Sequence, residues 1–190
     1  MTVTSDQLSE IRKRHLAEHH AAHLVVACVT GGEARAWLWQ RDTAGSEAAR
    51  WLGYTAVIKY GHVGAPQAAG RVANALEYEP EQDLDEYFDE LLLSDFICAE
   101  ELEELTLNEA FELVTNAQLA LKHLVQNRAF FDWAVERLMT VGLITEGQAS
   151  EFIRTSAGTK AAAGVLQLSD AAPSSSQQAS ARSAVVTAGS

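Results

Sequence analysis

Four of the six histidines in this chain of 190 residues fall within nine positions, His15-Leu16-Ala17-Glu18-His19-His20-Ala21-Ala22-His23. The run sits inside a longer helical periodicity in which Leu8, Ile11, His15, His19, Ala22, His23 and Val26 recur three or four residues apart. Before it, Thr4-Ser5-Asp6-Gln7 has the form of a capping box with Thr4 as N-cap. After it, Gly31-Gly32 supplies a stop. The pattern predicts one helix from Ser5 to Val29. On such a helix His19 and His23, four apart, share a face and can close on one metal ion. His15 lies one turn earlier on the same stripe. A lone histidine is ordinarily part of a polar helix face. This density, at metal-ligand spacing, points to a metal site, and imidazole suits zinc.

The rest of the chain reads as alternating short elements. Glu33 to Gln40 predicts a strand from its aromatic content, with Trp37 and Trp39 on one face covering the core or a groove. Arg41 to Ser46 is a turn. Ser46 to Tyr60 is expected to be helical, with Ser46 as cap and Trp51, Tyr54, Val57 and Ile58 on one side. Gly61 to Pro66 interrupts it, and a further helix runs from near Pro66 to Tyr78. Between Val72 and Leu121 there is no Lys or Arg, while 15 of the 26 acids lie there. Glu77 to Glu90 reads as a solvated acidic stretch, part loop and part helix. Leu91-Leu92-Leu93 is expected to be buried, and Ser94 to cap a helix beginning at Asp95. Glu100 to Glu104 forms a second acidic cluster. Asn108 to Gln126 and Ala129 to Met139 are helices with continuous apolar sides. Val141 to Thr145 is a link, and Thr145 with Gln148 is a capping box leading a last short helix. From residue 156 to 190 Ala, Ser, Gln, Thr and Gly dominate, a composition expected to form a flexible tail beyond a domain of residues 1–155.

Composition narrows the classes further. A formal net charge of −12 argues against non-specific binding to nucleic acid or an anionic membrane surface. No apolar run is long enough for a membrane span. The first residues lack a basic-then-apolar signal pattern. Cys28 and Cys98 have no partners at zinc-ligand spacing and read as small core residues in a reducing compartment. A cytoplasmic protein is expected, with its oligomeric state open.

The zinc-peptidase helix has the pattern His-Glu-x-x-His, with the Glu as general base. Here the run is His19-His20-Ala21-Ala22-His23, followed by Leu24-Val25-Val26-Ala27. Downstream come Gly64-Ala65-Pro66-Gln67-Ala68-Ala69-Gly70, then Ser94-Asp95, then Leu143-Ile144-Thr145-Glu146-Gly147 within a closing stretch from Leu119 to Phe152. In this order the chain resembles the peptidase domain of FtsH-type metalloproteases, and more closely its small stand-alone forms without an ATPase, over Ser5 to Ile153. Three departures are plain: the catalytic Glu is His20, the small Gly between the histidines is Ala22, and the acid ending the Ala-Gly-Pro turn is Gly70. No Gly-x-x-x-x-Gly-Lys-Ser/Thr run is present.

The resemblance implies a mainly α-helical domain with a small β element, similar to the zincin-like helical peptidase domain. It implies zinc held by His19, His23 and Asp95, with His20 at the base position. For Asp95 the ordinary alternative is a helix-start acid favoured by the macrodipole. His62 and His123 read as surface or loop residues. The expectation is a metallopeptidase-like protein with weak or lost hydrolysis. The alternatives are a catalytically dead binding or scaffold module for a peptide or protein partner, and a structural component of a larger assembly.

Overall fold

The computed structural model describes residues 5–41, 50–94, 96, 97 and 99–156. The expected Thr4 cap, the turn up to Ser46 with its cap, Asp95, Cys98 and the Ala/Ser-rich segment from 157 onward lie outside the described residues. Most of what is described is helical, with one small three-stranded antiparallel sheet.

The first helix, α1, spans Ser5–Val29. It closes where Gly31 adopts a positive φ of 87°, a left-handed conformation open to glycine. The Gly31 N–H donates to the Cys28 carbonyl at 3.1 Å and the Gly32 N–H to the Ala27 carbonyl at 2.9 Å. Those two bonds form a Schellman closure that satisfies the last carbonyls. The chain then turns directly into β1, Glu33–Arg41. Along β1, Ala34, Ala36 and Leu38 alternate inward and are buried. The small alanines let α1 lie close against the sheet.

Trp37 and Trp39 do share a face of β1, but it is the outer one. Trp39 is 41% exposed, Arg35 stacks over Trp37 at 5.5 Å, and the Trp37 ring meets Tyr54 edge-on at 5.1 Å. They do not build the core.

The expected helix from Ser46 to Tyr60 is instead a strand, β2, Arg50–Lys59, paired antiparallel with β1 from Arg41↔Arg50 to Glu33↔Lys59. The run Trp51-Leu52-Gly53-Tyr54-Thr55-Ala56-Val57-Ile58 is rich in aromatic and β-branched residues, which lose side-chain freedom in a helix and pack well on a pleated surface. An adjacent edge of β1 decided between two periodicities that a short apolar run supports equally.

The helix α2 is Gly64–Ala75, and its buried side comprises Ala65, Pro66, Ala68, Ala69, Gly70, Val72 and Ala73. Nearly all are small, so α2 sits close to α1. His62, in the preceding loop, accepts from the Ala65 N–H at 3.2 Å and so caps its start.

Next come α3, Leu84–Leu93, capped by the Asp83 carboxylate, and α4, Ala99–Glu104. Of the three leucines closing α3 only Leu91 is buried, while Leu93 is 88% exposed. Successive helical residues fan out by about 100° each, so three in a row cannot share one buried face. Ser94 ends α3 rather than opening a helix: its N–H bonds to the Glu90 carbonyl and its hydroxyl donates to the Leu91 carbonyl at 2.7 Å.

The helix α5, Leu107–Gln126, opens with a complete capping box between Thr106 and Glu109. After it comes α6, Arg128–Thr140. The expected link Val141 to Thr145 contains a two-residue strand, β3, Leu143–Ile144, which adds to β1 and gives the sheet order β2-β1-β3. Thr145 and Gln148 form the expected reciprocal cap, at 3.0 and 3.3 Å, into a helical segment over 146–156.

The core is assembled around the C-terminal half of α1. Ala17, Ala21, Ala22, Leu24, Val25, Val26 and Ala27 are all essentially inaccessible. The sheet, α2, α5 and α6 each pack against this helix. Cys28 is partly buried and unbridged, and burial pushes its thiol up to about 11, consistent with an inert core residue. No helix among the described residues is long and apolar enough to cross a membrane.

Candidate functional site

The histidines of α1 project from the seam between the sheet and α2. His19 and His23 turn their Nε2 atoms toward one another at 3.1 Å, with ring centroids 4.7 Å apart. Each ring is held by its other nitrogen. His23 Nδ1 donates to the Pro66 carbonyl in the first turn of α2. His19 Nδ1 lies 3.1 Å from the amide nitrogen of Asn74, near the other end of that helix.

Gly70, between these two anchors, makes the approach possible. A Cβ built there would stand 2.4 Å from His23 Nε2 and 2.5 Å from a carbon of the His19 ring. The resemblance places an acid at Gly70. No side chain fits there while the two imidazoles hold these positions.

His20, the residue at the base position, is directed to the sheet. Its Nδ1 lies 3.1 Å from the Thr55 hydroxyl on β2, and that hydroxyl donates to the His20 carbonyl at 3.1 Å. With its one proton so used, the hydroxyl can only accept from His20 Nδ1–H, which leaves Nε2 bare in the neutral ring. Hydrogen placement here follows from the bonding network. Opposite the ring, Gly53 of β2 leaves room: a Cβ there would fall 2.3 Å from His20 Nε2. His20, His23, Tyr54, Thr55, Val57, Tyr60 and Gln67 line a cleft of about 340 Å3 alongside β2.

Electrostatics keep these rings neutral. Burial, then the proximity of His23, lowers His19 to about 4, with an opposing hydrogen bond to the Gly70 backbone. Burial, then the two neighbouring imidazoles, lowers His20 to about 4. Burial also lowers His23, against the pull of the Pro66 carbonyl. Neutral imidazoles with free lone pairs are the form in which histidine binds metals.

Two Zn–N bonds of about 2.0–2.1 Å at a tetrahedral angle separate their nitrogens by about 3.3 Å, close to the observed Nε2 pair. The His23 bond to a backbone carbonyl is the kind of outer partner that orients ligating histidines. On these counts His19 and His23 fit as two donors. Among the described residues no group of three His, Cys, Asp or Glu side chains is arranged to hold a metal ion. Asp95, the expected third donor, lies outside them. What is described nearby is an ion pair at 2.7 Å between Arg71, the residue after Gly70, and Glu101 of α4. His15 is exposed and lines a separate cleft between α1 and α6. His62 is a loop residue and His123 lies near the end of α5.

Sequence reading missed Gly53, Thr55 and Asn74. Gly53 carried a signal, since an isolated glycine within a strand marks a close approach, but only once the segment is read as a strand. Asn74 and Thr55 carried none, because their partners are 55 and 35 residues away in sequence.

No protein-family model, curated protein or solved structure matches this chain.

Proposed function

We propose that this chain is a zinc-peptidase-like protein in which His19 and His23 hold the ion with Asp95 as third donor, and in which hydrolysis is weak or lost. The supporting observation is the convergence of two neutral imidazoles through Nε2, each anchored from behind at Nδ1. A bound zinc ion would polarise a carbonyl and lower the pKa of a bound water.

The weakness of hydrolysis follows from His20. A general base must accept a proton from water during the reaction, and its absence costs about 10²–10⁴-fold in rate. His20 has a bare Nε2, but the surroundings that lower it to about 4 oppose imidazolium formation. Its ring is also tethered to Thr55 on the sheet. A carboxylate at this position would have neither handicap.

The cleft beside β2 favours a second function for the same face, the holding of an extended peptide. In the sheet order β2-β1-β3 one edge of β2 has no strand beside it among the described residues, and an extended segment can add there through main-chain hydrogen bonds. In this reading the protein is a binding module, with or without cleavage.

Zinc content of the purified full chain, and zinc titration of the metal-free chain against the His19→Ala/His23→Ala variant, test the metal. Stoichiometric zinc in the wild type and none in the variant is expected, and no zinc in either refutes it. Casein cleavage by wild type and His20→Glu then separates the two forms. Activity only in His20→Glu marks a lost enzyme. Wild-type cleavage abolished by His19→Ala marks a surviving one.

A further inference from the structure

The His19–His23 contact leaves one proton to be placed, and the partners around it place it. His23 Nδ1–H is committed to the Pro66 carbonyl, so neutral His23 carries a bare Nε2. A 3.1 Å contact between two imidazole nitrogens is a hydrogen bond when one of them is protonated, and here that one is His19 Nε2. Neutral His19 then has a bare Nδ1, which faces the Asn74 amide nitrogen at 3.1 Å. Donor meets acceptor along the whole row Asn74, His19, His23, Pro66.

We propose that Asn74 is a positioning residue that decides which ring nitrogen of His19 carries the proton, and so whether the histidine pair is closed on itself or open to a cation. With its NH2 toward the ring, Asn74 stabilises the closed pair. With the amide turned by half a rotation, its carbonyl oxygen accepts from His19 Nδ1–H. The proton lost from Nε2 is regained at Nδ1 through solvent, the ring stays neutral, and both Nε2 lone pairs become available. An amide serves both states because it offers a donor and an acceptor. Aspartate only accepts, and leucine does neither. The Gly70 backbone also bonds the His19 ring, so loss of the Asn74 donor leaves an acceptor at hand and the open tautomer is favoured. Asn74 is exposed on α2, so these substitutions leave the core intact. Only the cation-binding half of this inference rests on the zinc reading above. The proton placement concerns the metal-free chain.

The test is long-range 1H–15N correlation spectroscopy of the imidazole nitrogens in the metal-free, 15N-labelled full chain. Wild-type His19 is expected to be protonated at Nε2, and Asn74→Asp and Asn74→Leu at Nδ1. In zinc titrations Asn74→Asp is expected to bind about tenfold more tightly than wild type, outer partners of ligating histidines being worth about 10–100-fold in affinity. Wild-type His19 protonated at Nδ1, or Asn74→Leu still protonated at Nε2, overturns the proposal. Equal zinc affinity in Asn74→Asp and wild type overturns the gating role. If no form binds zinc while the tautomers follow the expected pattern, the ligand role of His19 and His23 falls and the proton-placing role of Asn74 stands.

Discussion

Two glycines on different elements carry the fit of three imidazoles. At Gly53 and Gly70 the missing side chain is the space that His20, His19 and His23 occupy, so alanine at either position collides with a ring at 2.1–2.5 Å. Each substitution is expected to destabilise the fold by about 1–3 kcal/mol, the usual range for overpacking. Chemical denaturation reads this, with Gly147→Ala as the control. At Gly147 the nearest atom to an added Cβ is 4.0 Å away, and the change is expected to be neutral or stabilising. The same burial that fits the rings sets a pH dependence. His19 and His20 titrate near 4 in the folded chain against 6.5 for an unperturbed imidazole, so between those values the unfolded chain binds protons that the folded chain refuses. Stability is therefore full above pH 6.5 and falls as pH drops toward 4. The melting temperature is expected to fall over that window, and His20→Gln to flatten part of the decline. An unchanged slope in that variant would place the titrating group elsewhere.

At the scale of single elements, the helices with the strongest local signals were the most legible. The periodicity and the Gly31-Gly32 stop gave α1 its bounds. The apolar side of α5 placed that helix to within a residue of its start, where Thr106 and Glu109 form a reciprocal cap that the sequence reading did not single out. That cap is worth testing directly: Thr106→Ala is expected to cost about 1 kcal/mol, measured as a lowered denaturation midpoint at unchanged slope. Elements whose identity depends on a neighbour were not legible. Trp51, Tyr54, Val57 and Ile58 stand at helical spacing, yet β1 beside them makes the segment a strand. In the same way Leu143 and Ile144 are a strand only because Ala36 and Trp37 lie opposite. Trp37 and Trp39 were rightly placed on a common face, but which face turns inward was decided by the small Ala34 and Ala36, against which α1 packs. The site divides along the same line. The His19 and His23 pairing is written in one helix, whereas the groups that orient the rings come from β2 and α2.

For the molecule as a whole, the proposed zinc site predicts a linkage. A ligand that binds only the folded chain raises its stability, by about 2.7 kcal/mol when present at a hundred times its dissociation constant. Zinc is expected to raise the melting temperature of the wild type by several degrees and to leave His19→Ala/His23→Ala unmoved. Equal shifts in both would assign the effect to other groups. One further consequence lies in the central place of α1. Its innermost residues are covered in part by α6, whose first residue, Arg128, follows about a hundred positions after α1 ends, so at about 5–20 residues per second of synthesis its last wall arrives about 5–20 s late. Through that interval the emerging chain carries an unroofed strip of alanine and valine. Until α6 has emerged, that strip lacks one of the faces that cover it in the folded chain.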